Sequence, residues 1–328
     1  MRSIKRNARR AAAATVASGL LAAGALALTT SAASASTTSH QGATAYSFRT
    51  IDNPKDLTFN QLLGINDEGQ IVGYFGSGAQ GAPNKGYTIP PSAGHFSNEN
   101  FPHSVQTQVT GLNNRGVTVG FWSSMNNANQ VNDNFGFVDV NGHFRNADFP
   151  TSSPATPPVD QLLGVNDHDI AVGFYTDANG NNHGYEYNIG ENRFSSVTDP
   201  SLPGASLAAA AINDEGNVAG VYINSVGTTD GFLKTHHGLF VDLAVPGASS
   251  TIAFGVNGRD EVVGTYTVGS GSTAVMHGFT WTPQHGFRTV DDPHGVGTTT
   301  INGVNDRGQL VGFYVDGAGN TDGFVATP

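Results

Sequence analysis

Phe48-Arg-Thr-Ile-Asp-Asn-Pro54 is the stretch that decides the fold, because it copies a segment that otherwise belongs to an internal repeat. Elsewhere a Phe followed six residues later by Pro closes a repeat unit. These pairs are Phe96/Pro102, Phe144/Pro150, Phe194/Pro200, Phe240/Pro246 and Phe287/Pro293. The N-terminal copy precedes the first unit, and the last unit has no copy of its own. The pattern therefore predicts that the N-terminal segment supplies a strand to the last unit.

Six units of about 47 residues fill the chain, each anchored by a motif such as Gly303-Val-Asn-Asp-Arg-Gly-Gln-Leu-Val-Gly312. The anchoring asparagines are Asn66, Asn113, Asn166, Asn213, Asn257 and Asn305. A second motif, Gly before an aromatic residue, follows at Gly86-Tyr87, Gly136-Phe137, Gly184-Tyr185, Gly231-Phe232, Gly278-Phe279 and Gly323-Phe324. Self-similarity at this period indicates a repeat architecture.

The sequence of each unit predicts four short strands, a to d. Strand a leads into the Asn-Asp-x-Gly turn, strand b follows it, strand c begins at the Gly-aromatic pair and strand d runs from Phe to Pro. The closing Pro suits an outer edge strand, and the motif glycines suit close backbone approach near an axis. We expect an all-β, six-bladed β-propeller over residues 45–328, with four-stranded blades and a ring closed by the N-terminal strand. An open β-solenoid or stacked sandwiches is the alternative, which would need capping repeats.

The N-terminus has the order of a secretory signal peptide over residues 1–35. A basic start is followed by an apolar stretch at residues 11–28 and by Ala33-Ser34-Ala35, a small-x-small cleavage pattern. A membrane anchor is the alternative, and Arg9-Arg10 leaves general secretory and twin-arginine export both open. We expect a flexible linker at residues 36–44 and a secreted, extracellular protein.

Charge and cysteine content limit the partners and the chemistry. Without the five basic residues of the leader, ten basic and 26 acidic residues remain, a net charge of −16. Such a surface repels nucleic acid and anionic lipid, so we expect no nucleic-acid partner and no membrane insertion. The chain has no Cys, which excludes cysteine nucleophiles and Cys-ligated metals. We expect a monomer.

The motifs resemble the bacterial extracellular HAF repeat family, named for a His-Ala-Phe triplet at the position of the Gly-aromatic pair. His183-Gly184-Tyr185 and His277-Gly278-Phe279 come closest. The other units carry Lys85, Phe135, Asp230 and Asp322 at the His position. The resemblance covers nearly all of the chain after the leader and implies secretion and propeller-like repeats. It carries no established activity and transfers no catalytic residue.

In a propeller, the b–c and d–a connections share one face and the a–b and c–d turns share the other. The b–c connections differ between units and are rich in Asn, Asp, Ser, Gly and His, and variable loops on a rigid scaffold usually carry binding. We therefore predict that the b–c/d–a face recognises an extracellular glycan or cell-surface component. The candidate ligand-binding residues are Gln61, Gln108, Gln161, Trp122, Asp177, His183, Asp230, His277 and Asp322.

Three further readings stay open. Near the ends of the b strands, Tyr74, Trp122, Tyr175, Tyr222, Tyr266 and Tyr314 could stack on sugar rings or pack within the blades. Asp177, Asn179 and Asn181 offer oxygen ligands for calcium, or form a polar hairpin turn. A secreted polysaccharide hydrolase or lyase with a site at the channel mouth, or a purely structural repeat protein, would also fit. The sequence leaves enzyme activity undecided, because neither His-Glu-x-x-His nor Gly-x-Ser-x-Gly occurs in it.

Overall fold

The computed structural model describes residues 46–79, 81–91, 94–124 and 132–328. The predicted signal peptide (residues 1–35) and linker (36–44) lie outside these residues. The described chain is all-β, with a single 3₁₀ turn at Gly271–Thr273 beside its strands. Within the described ranges, no helix has the length and apolar character needed to cross a membrane.

The strands follow one another in the predicted order a, b, c, d. The N-terminal strand is β1 (Ser47–Ile51). The first unit holds β2 (Asn60–Ile65), β3 (Ile71–Phe75), β4 (Lys85–Ile89) and β5 (Ser97–Asn98). The second holds β6 (Gln106–Leu112), β7 (Val117–Ser123), β8 (Phe135–Val140) and β9 (His143–Asn146). The third holds β10 (Asp160–Val165), β11 (Ile170–Thr176), β12 (Asn182–Asn188) and β13 (Arg193–Val197).

The remaining units repeat this arrangement. The fourth holds β14 (Leu207–Ile212), β15 (Val218–Ile223), β16 (Thr229–Lys234) and β17 (Phe240–Leu243). The fifth holds β18 (Ser250–Val256), β19 (Val262–Val268), β20 (Val275–Thr282) and β21 (Gly286–Thr289). The sixth holds β22 (Thr299–Val304), β23 (Leu310–Val315) and β24 (Thr321–Thr327).

Consecutive strands of a unit pair antiparallel, which gives four-stranded sheets in the first three units. The fourth and fifth units are joined into one eight-stranded sheet by a single parallel bridge between Thr229 and Ser250. The last sheet has the order β1-β24-β23-β22, with Ser47 opposite Thr327 and Ile51 opposite Gly323. The N-terminal segment thus occupies the d position of the last unit, as its sequence predicts. The architecture is propeller-like.

The two motif glycines have different structural causes. The register of every a–b pair shifts in mid-strand, a β-bulge that pushes an a-strand carbonyl toward the b strand. A Cβ on Gly173 would lie 2.0 Å from the Gln161 carbonyl oxygen, so only glycine fits there. A Cβ on Gly111 would instead lie 2.7 Å from the Leu163 carbonyl oxygen of the next unit. The glycine that opens the motif, such as Gly111, therefore permits the close approach of inner strands. The glycine that ends the motif, such as Gly173, accommodates the bulge.

The anchoring asparagines link each unit to the next. Each donates from Nδ2 to the backbone carbonyl of the following anchoring Asn, at 2.9–3.2 Å. The series runs from Asn66 through Asn305, and Asn305 donates to the Asn66 carbonyl. Because the bonded groups are buried, each bond satisfies an atom that would otherwise be costly to leave unpaired.

Hydrophobic cores lie between neighbouring sheets. One core combines Val119 of β7, Leu162 of β10 and Tyr185 of β12, all fully buried. An equivalent core combines Leu62 of β2 with Val311 of β23. The first and last units therefore pack on each other in the same way as units that follow directly in sequence.

Candidate functional site

The a–b turns surround a small cavity on one face of the molecule. Its volume is about 90 Å³, well below the ~300–1,000 Å³ of usual small-molecule sites. It is lined by the anchoring asparagines and the residues that follow them. Those following residues are Asp67, Asn114, Asp167, Asp214, Gly258 and Asp306.

The carboxylates around this cavity, which we call the a–b mouth, accept hydrogen bonds that link one turn to the next. Asp167 Oδ1 accepts the Asn114 N–H at 2.7 Å, and Asp214 Oδ1 accepts the Asp167 N–H at 2.7 Å. Asp67 Oδ1 likewise accepts the Asp306 N–H at 2.7 Å. Burial raises the pKa of Asp214, and the Asp167 carboxylate adds to the rise. The polar groups of this face therefore serve the architecture.

The three candidate glutamines occupy equivalent positions on inner strands. The residues at this position in the six units are Gln61, Gln108, Gln161, Ala208, Ile252 and Thr300. All three glutamines are buried. Ala208 packs with Leu163 and Phe174 of the preceding unit, so this side of the inner strands faces the centre. The three glutamines therefore lie inside the molecule and not on its surface.

These glutamines are only partly paired. Gln61 Oε1 accepts from Tyr74 Oη at 2.9 Å, and Gln161 Nε2 donates to Asn134 Oδ1 at 2.6 Å. Gln61 Nε2, Gln108 Oε1 and Gln161 Oε1 are buried without a hydrogen-bond partner in the protein. The first three units thus present amides to the centre where the next two present apolar side chains.

One aromatic residue predicted at the b-strand ends lies on the wrong side of its strand. Tyr74 points inward to Gln61, and Phe75 is the residue equivalent to Trp122. The prediction was one residue out of register, which moves a side chain to the opposite sheet face. The equivalent set is Phe75, Trp122, Tyr175, Tyr222, Tyr266 and Tyr314.

These aromatic residues pack within the sheets, some of them against the closing segment of the preceding unit. Trp122 stacks on Phe101 with ring centroids 4.6 Å apart, and its Nε1 donates to Asn146 Oδ1 at 2.9 Å. Tyr266 Oη bonds Thr289 Oγ1 at 2.7 Å, from the b strand to the d strand. A packing role accounts for these contacts, since each polar tip bonds to the outer strand of the same sheet.

The predicted calcium loop is tied to its own carboxylate. Asp177 Oδ1 accepts the N–H groups of Asn179 and Asn181, and Oδ2 bonds Asn181 Nδ2 and His183 Nε2, all at 2.8–3.2 Å. Although burial opposes ionisation, these hydrogen bonds lower the pKa of Asp177 to about 2. No group of three or more His, Asp or Glu side chains among the described residues has metal-binding geometry. The arrangement is that of a polar hairpin turn.

The other candidates on the c strands each face the aromatic residue of their own b strand. His277 stacks on Tyr266 at 5.1 Å, and its Nδ1 lies 2.8 Å from Asp291 Oδ2, a hydrogen bond that raises the pKa of His277. Asp230 is buried opposite Tyr222 and accepts from Asn224 Nδ2. Each of these candidates is therefore paired with the aromatic residue of its own unit.

Asp322 lies in the most strongly charged of these environments. Burial, together with the carboxylates of Asp52 and Asp316, raises the pKa of Asp322 to about 6. Asp52 and Asp292 are residues that the sequence analysis missed. Asp292-Pro293 aligns with Asp199-Pro200 at the end of the third unit, and this repeated Asp-Pro was the signal that could have found it.

Comparisons with known proteins bear on the fold. No protein-family model and no curated protein matches the chain. The crystal structure of AofleA from Arthrobotrys oligospora is similar over 88% of each chain, at 13% identity and a TM-score of 0.50. A prolyl endopeptidase structure also matches, over 82% of this chain and 39% of that chain, at 13% identity and a TM-score of 0.44. A structure of a PL25 polysaccharide lyase, an ulvan lyase, matches over 82% of this chain and 78% of that chain, at 12% identity and a TM-score of 0.41. At this level of identity, the likeness to AofleA supports a shared fold alone, all-β and propeller-like.

Proposed function

We propose that the chain is a secreted, six-bladed β-propeller whose ring is closed by the N-terminal strand. The pairing of β1 with β24 and the bond from Asn305 to the Asn66 carbonyl support closure. The eight-stranded sheet counts as two blades, because one bridge alone joins its halves. Secretion is supported by the sequence of residues 1–35.

A disulfide tests the closure in a chain that has no Cys of its own. Ser47 and Thr327 are exposed register partners on β1 and β24. The double variant S47C/T327C should form an intramolecular disulfide, seen as a mobility shift on a non-reducing gel. The control S47C/S195C places the second Cys on the exposed d strand of the third unit and should give no such shift. Equal cross-linking of both variants would contradict the proposed closure.

The protein acts as a binding module that recognises an extracellular glycan or cell-surface component through its b–c/d–a face. One observation carries this assignment: two buried carboxylate oxygens on that face, at Asp52 and Asp292, have no hydrogen-bond partner in the protein, against one beside a c–d turn of the described chain, at Asp139. The carboxylates of the a–b mouth, by contrast, are engaged in bonds between turns. Unmet hydrogen-bonding capacity is what a polar ligand requires.

Exposed apolar side chains on the same face support this assignment. Of the large apolar residues exposed in the described ranges, those on the b–c/d–a connections or beside them are Leu57, Val226, Val268 and Val296, and only Leu239 lies opposite. Apolar contacts beside polar groups suit sugar rings, which present both kinds of surface.

A glycan array and a cell-wall pull-down test the function. Wild-type protein should bind at least one glycan or the wall fraction, and H277A or D322N should weaken that binding. D214N is the matched control, because it removes a charge from the a–b mouth. The function would be contradicted by the absence of binding to every glycan and wall fraction. The face would be wrong if D214N alone abolished binding.

A secreted polysaccharide hydrolase or lyase is the second candidate function. The pKa of Asp322, raised to about 6 mainly by burial, gives that carboxyl group acid–base character beside Tyr314. This group lies between the fifth and sixth units on the b–c/d–a face, so it gives no support to a site at the channel mouth. Release of shortened chains from a polysaccharide panel, lost in D322N, would favour the enzyme over the binding module.

A further inference from the structure

Polar side chains of the sixth unit and of the turn before it converge on the b–c/d–a face. We call Thr50, Asp52, Asp292, Tyr314 and Asp322 the acidic pocket. Tyr314 and Asp322 are register partners on β23 and β24, and Tyr314 Oη bonds Thr50 Oγ1 at 2.9 Å. The Asp292 N–H donates to Thr299 Oγ1, and Thr299 is the register partner of Tyr314. Strands β1 and β24 therefore meet at this pocket.

Asp292 is the decisive residue of the pocket. Its side chain is fully buried, with an exposed fraction of 0%. Oδ1 accepts from the backbone N–H of His294 and contacts His294 Nδ1 at 3.0 Å, whereas Oδ2 has no partner in the protein. The His294 ring lies beside Tyr314 with centroids 5.9 Å apart and contacts Asp292, so Asp292 lies next to the tyrosine of the pocket.

Among the described residues, no lysine or arginine forms an ion pair with the pocket, and the basic side chain that contacts it is His294, at Asp292 Oδ1. Asp52 Oδ1 is also buried without a partner, and burial raises the pKa of Asp52. In the part of the chain that the structure describes, arginine ion pairs are formed elsewhere, by Arg115 with Asp169 and by Arg193 with Glu191. Several carboxylates crowded together at low exposure favour a bound cation, because each raises the cost of ionising the others.

The acceptors favour an ammonium group over a metal ion. No group of three or more His, Asp or Glu side chains in the described ranges could hold a metal ion. A protonated amine has three N–H donors and no acceptor, and it can bond oxygens on separate strands. Asp292 Oδ2 and Asp52 Oδ1 supply two unused acceptors for it.

We infer that the acidic pocket binds the protonated amine of a glycan that carries free amino groups. This inference rests on the proposed glycan-binding function and names its substrate class. Val296, 43% exposed, follows Asp292 in the connection to β22, and its N–H bonds the Val315 carbonyl beside Tyr314. Leu57, 67% exposed, lies in the connection that follows Asp52. Apolar side chains next to a cation site fit an amino sugar, whose ring has an apolar face.

The fourth unit shows what is particular to this pocket. Tyr222, Asp230 and Asp199 stand at the positions of Tyr314, Asp322 and Asp292. Asp199 Oδ1 accepts from both the N–H and the Oγ of Ser201, and Ala244 replaces Asp52. Asp242 stands at the position of Thr50 and bonds Tyr222, so the fourth unit also gathers three carboxylates, but none of them has a buried oxygen that lacks a partner. The unpaired oxygens of Asp52 and Asp292 are therefore what is particular to the sixth unit.

The test compares two oligosaccharides that differ only in N-acetylation. Calorimetric titration at pH 6 should show that a glucosamine oligomer binds at least about tenfold more tightly than its fully N-acetylated counterpart. D292N and D322N should each weaken binding of the glucosamine oligomer by about tenfold or more, because each removes one charge facing the amine. D214N, on the opposite face, removes the same charge and should leave the affinity within about twofold. Thermal unfolding of each variant confirms that it is folded.

Other results would overturn the inference. Equal affinity for both oligomers, or unchanged affinity in folded D292N and D322N, would exclude amine recognition at this pocket while leaving glycan binding intact. Equal losses in D214N and D322N would mean nonspecific charge attraction. Failure of both oligomers and of every array glycan to bind would overturn the proposed function as well.

Discussion

The two faces of the molecule carry the same polar residue types but bond them differently. On the a–b face, Asn113 Oδ1 accepts from the Arg115 and Val117 N–H groups, and Nδ2 donates to the Asn166 carbonyl. On the b–c/d–a face, Asp52 and Asp292 keep buried oxygens unpaired. The recurring asparagines are satisfied by the architecture, whereas a few residues that differ between units, namely Asp52, Asp292 and, beside a c–d turn, Asp139, retain a buried oxygen without a partner. The face where the repeat varies is therefore the one on which we propose ligand recognition.

Stability should depend on pH mainly through carboxyl groups away from the a–b turns. Burial raises the pKa of Asp160 to about 7, although Tyr185 and the Phe149 N–H bond its oxygens. In the unfolded chain the group ionises near its ordinary value, so the folded state holds more protons between about pH 4 and 7. The free energy of unfolding should therefore fall as pH rises through this window, by up to roughly 4 kcal/mol from Asp160.

Denaturant unfolding at pH 5 and pH 8 checks this expectation. D160N should reduce the difference between the two pH values, because Asn60 already fills the equivalent position and accepts from Tyr87 Oη at 2.7 Å. Asp177 contributes with the opposite sign. Its lowered pKa gives stability above about pH 4 that is lost as pH falls toward 2. A stability that rises steadily from pH 5 to pH 8 would contradict the raised pKa of Asp160.

Removing an anchoring asparagine should destabilise the ring without touching the binding face. N113A leaves the Val117 N–H and the Asn166 carbonyl without their partner, so the free energy of unfolding should fall by about 2–4 kcal/mol. The neighbour Asn114 is half-buried and bridges Asp67 and Asp167, and N114A should cost only about 1 kcal/mol. Urea unfolding measures both. A loss in N113A no larger than in N114A would mean that the anchoring asparagine contributes no more to the ring than its neighbour does.

Strand order and the pairing of β1 with β24 followed from the sequence because both depend on local and repeated signals. Turn chemistry at each Asn-Asp-x-Gly fixes where strands a and b end, and the displaced Phe-to-Pro copy fixes where β1 belongs. A further signal was present but unused: Tyr replaces Phe after the c-strand Gly only in Tyr87 and Tyr185. In those two units the inner strand carries Asn60 or Asp160 to accept the hydroxyl.

The acidic pocket could not be predicted to the same depth. Asp52 and Asp322 are 270 positions apart, and they meet only because the chain ends share one sheet. Which oxygens stay unpaired depends on how the connection after Asp292 packs beside Tyr314, and no local pattern encodes that packing. The register error at Tyr74 has a similar origin, since two adjacent aromatics in one strand satisfy the same pattern on opposite faces.

The Asp177 turn offers a smaller test of whether a loop on the b–c/d–a face supports itself or holds an ion. D177A removes the acceptor of the Asn179 and Asn181 N–H groups, so the free energy of unfolding should fall by about 1 kcal/mol. The loss should be the same with calcium and with a chelator. A calcium-dependent rise in the melting temperature of wild-type protein, absent from D177A, would instead establish Asp177, Asn179 and Asn181 as a calcium site.

The smallest expected effects on stability come from two exposed residues of the fourth unit, one on each face of the molecule. Val226, 84% exposed in a b–c connection, and Leu239, 63% exposed in a c–d turn, both belong to the fourth unit. V226S and L239S should each change the free energy of unfolding by less than about 0.5 kcal/mol, since neither side chain is packed. Binding to the wall fraction should weaken severalfold in V226S alone, because only that side chain lies on the proposed contact surface. Loss of binding in L239S with V226S unaffected would move the ligand to the a–b face, and the unpaired oxygens of Asp52 and Asp292 would then need another explanation.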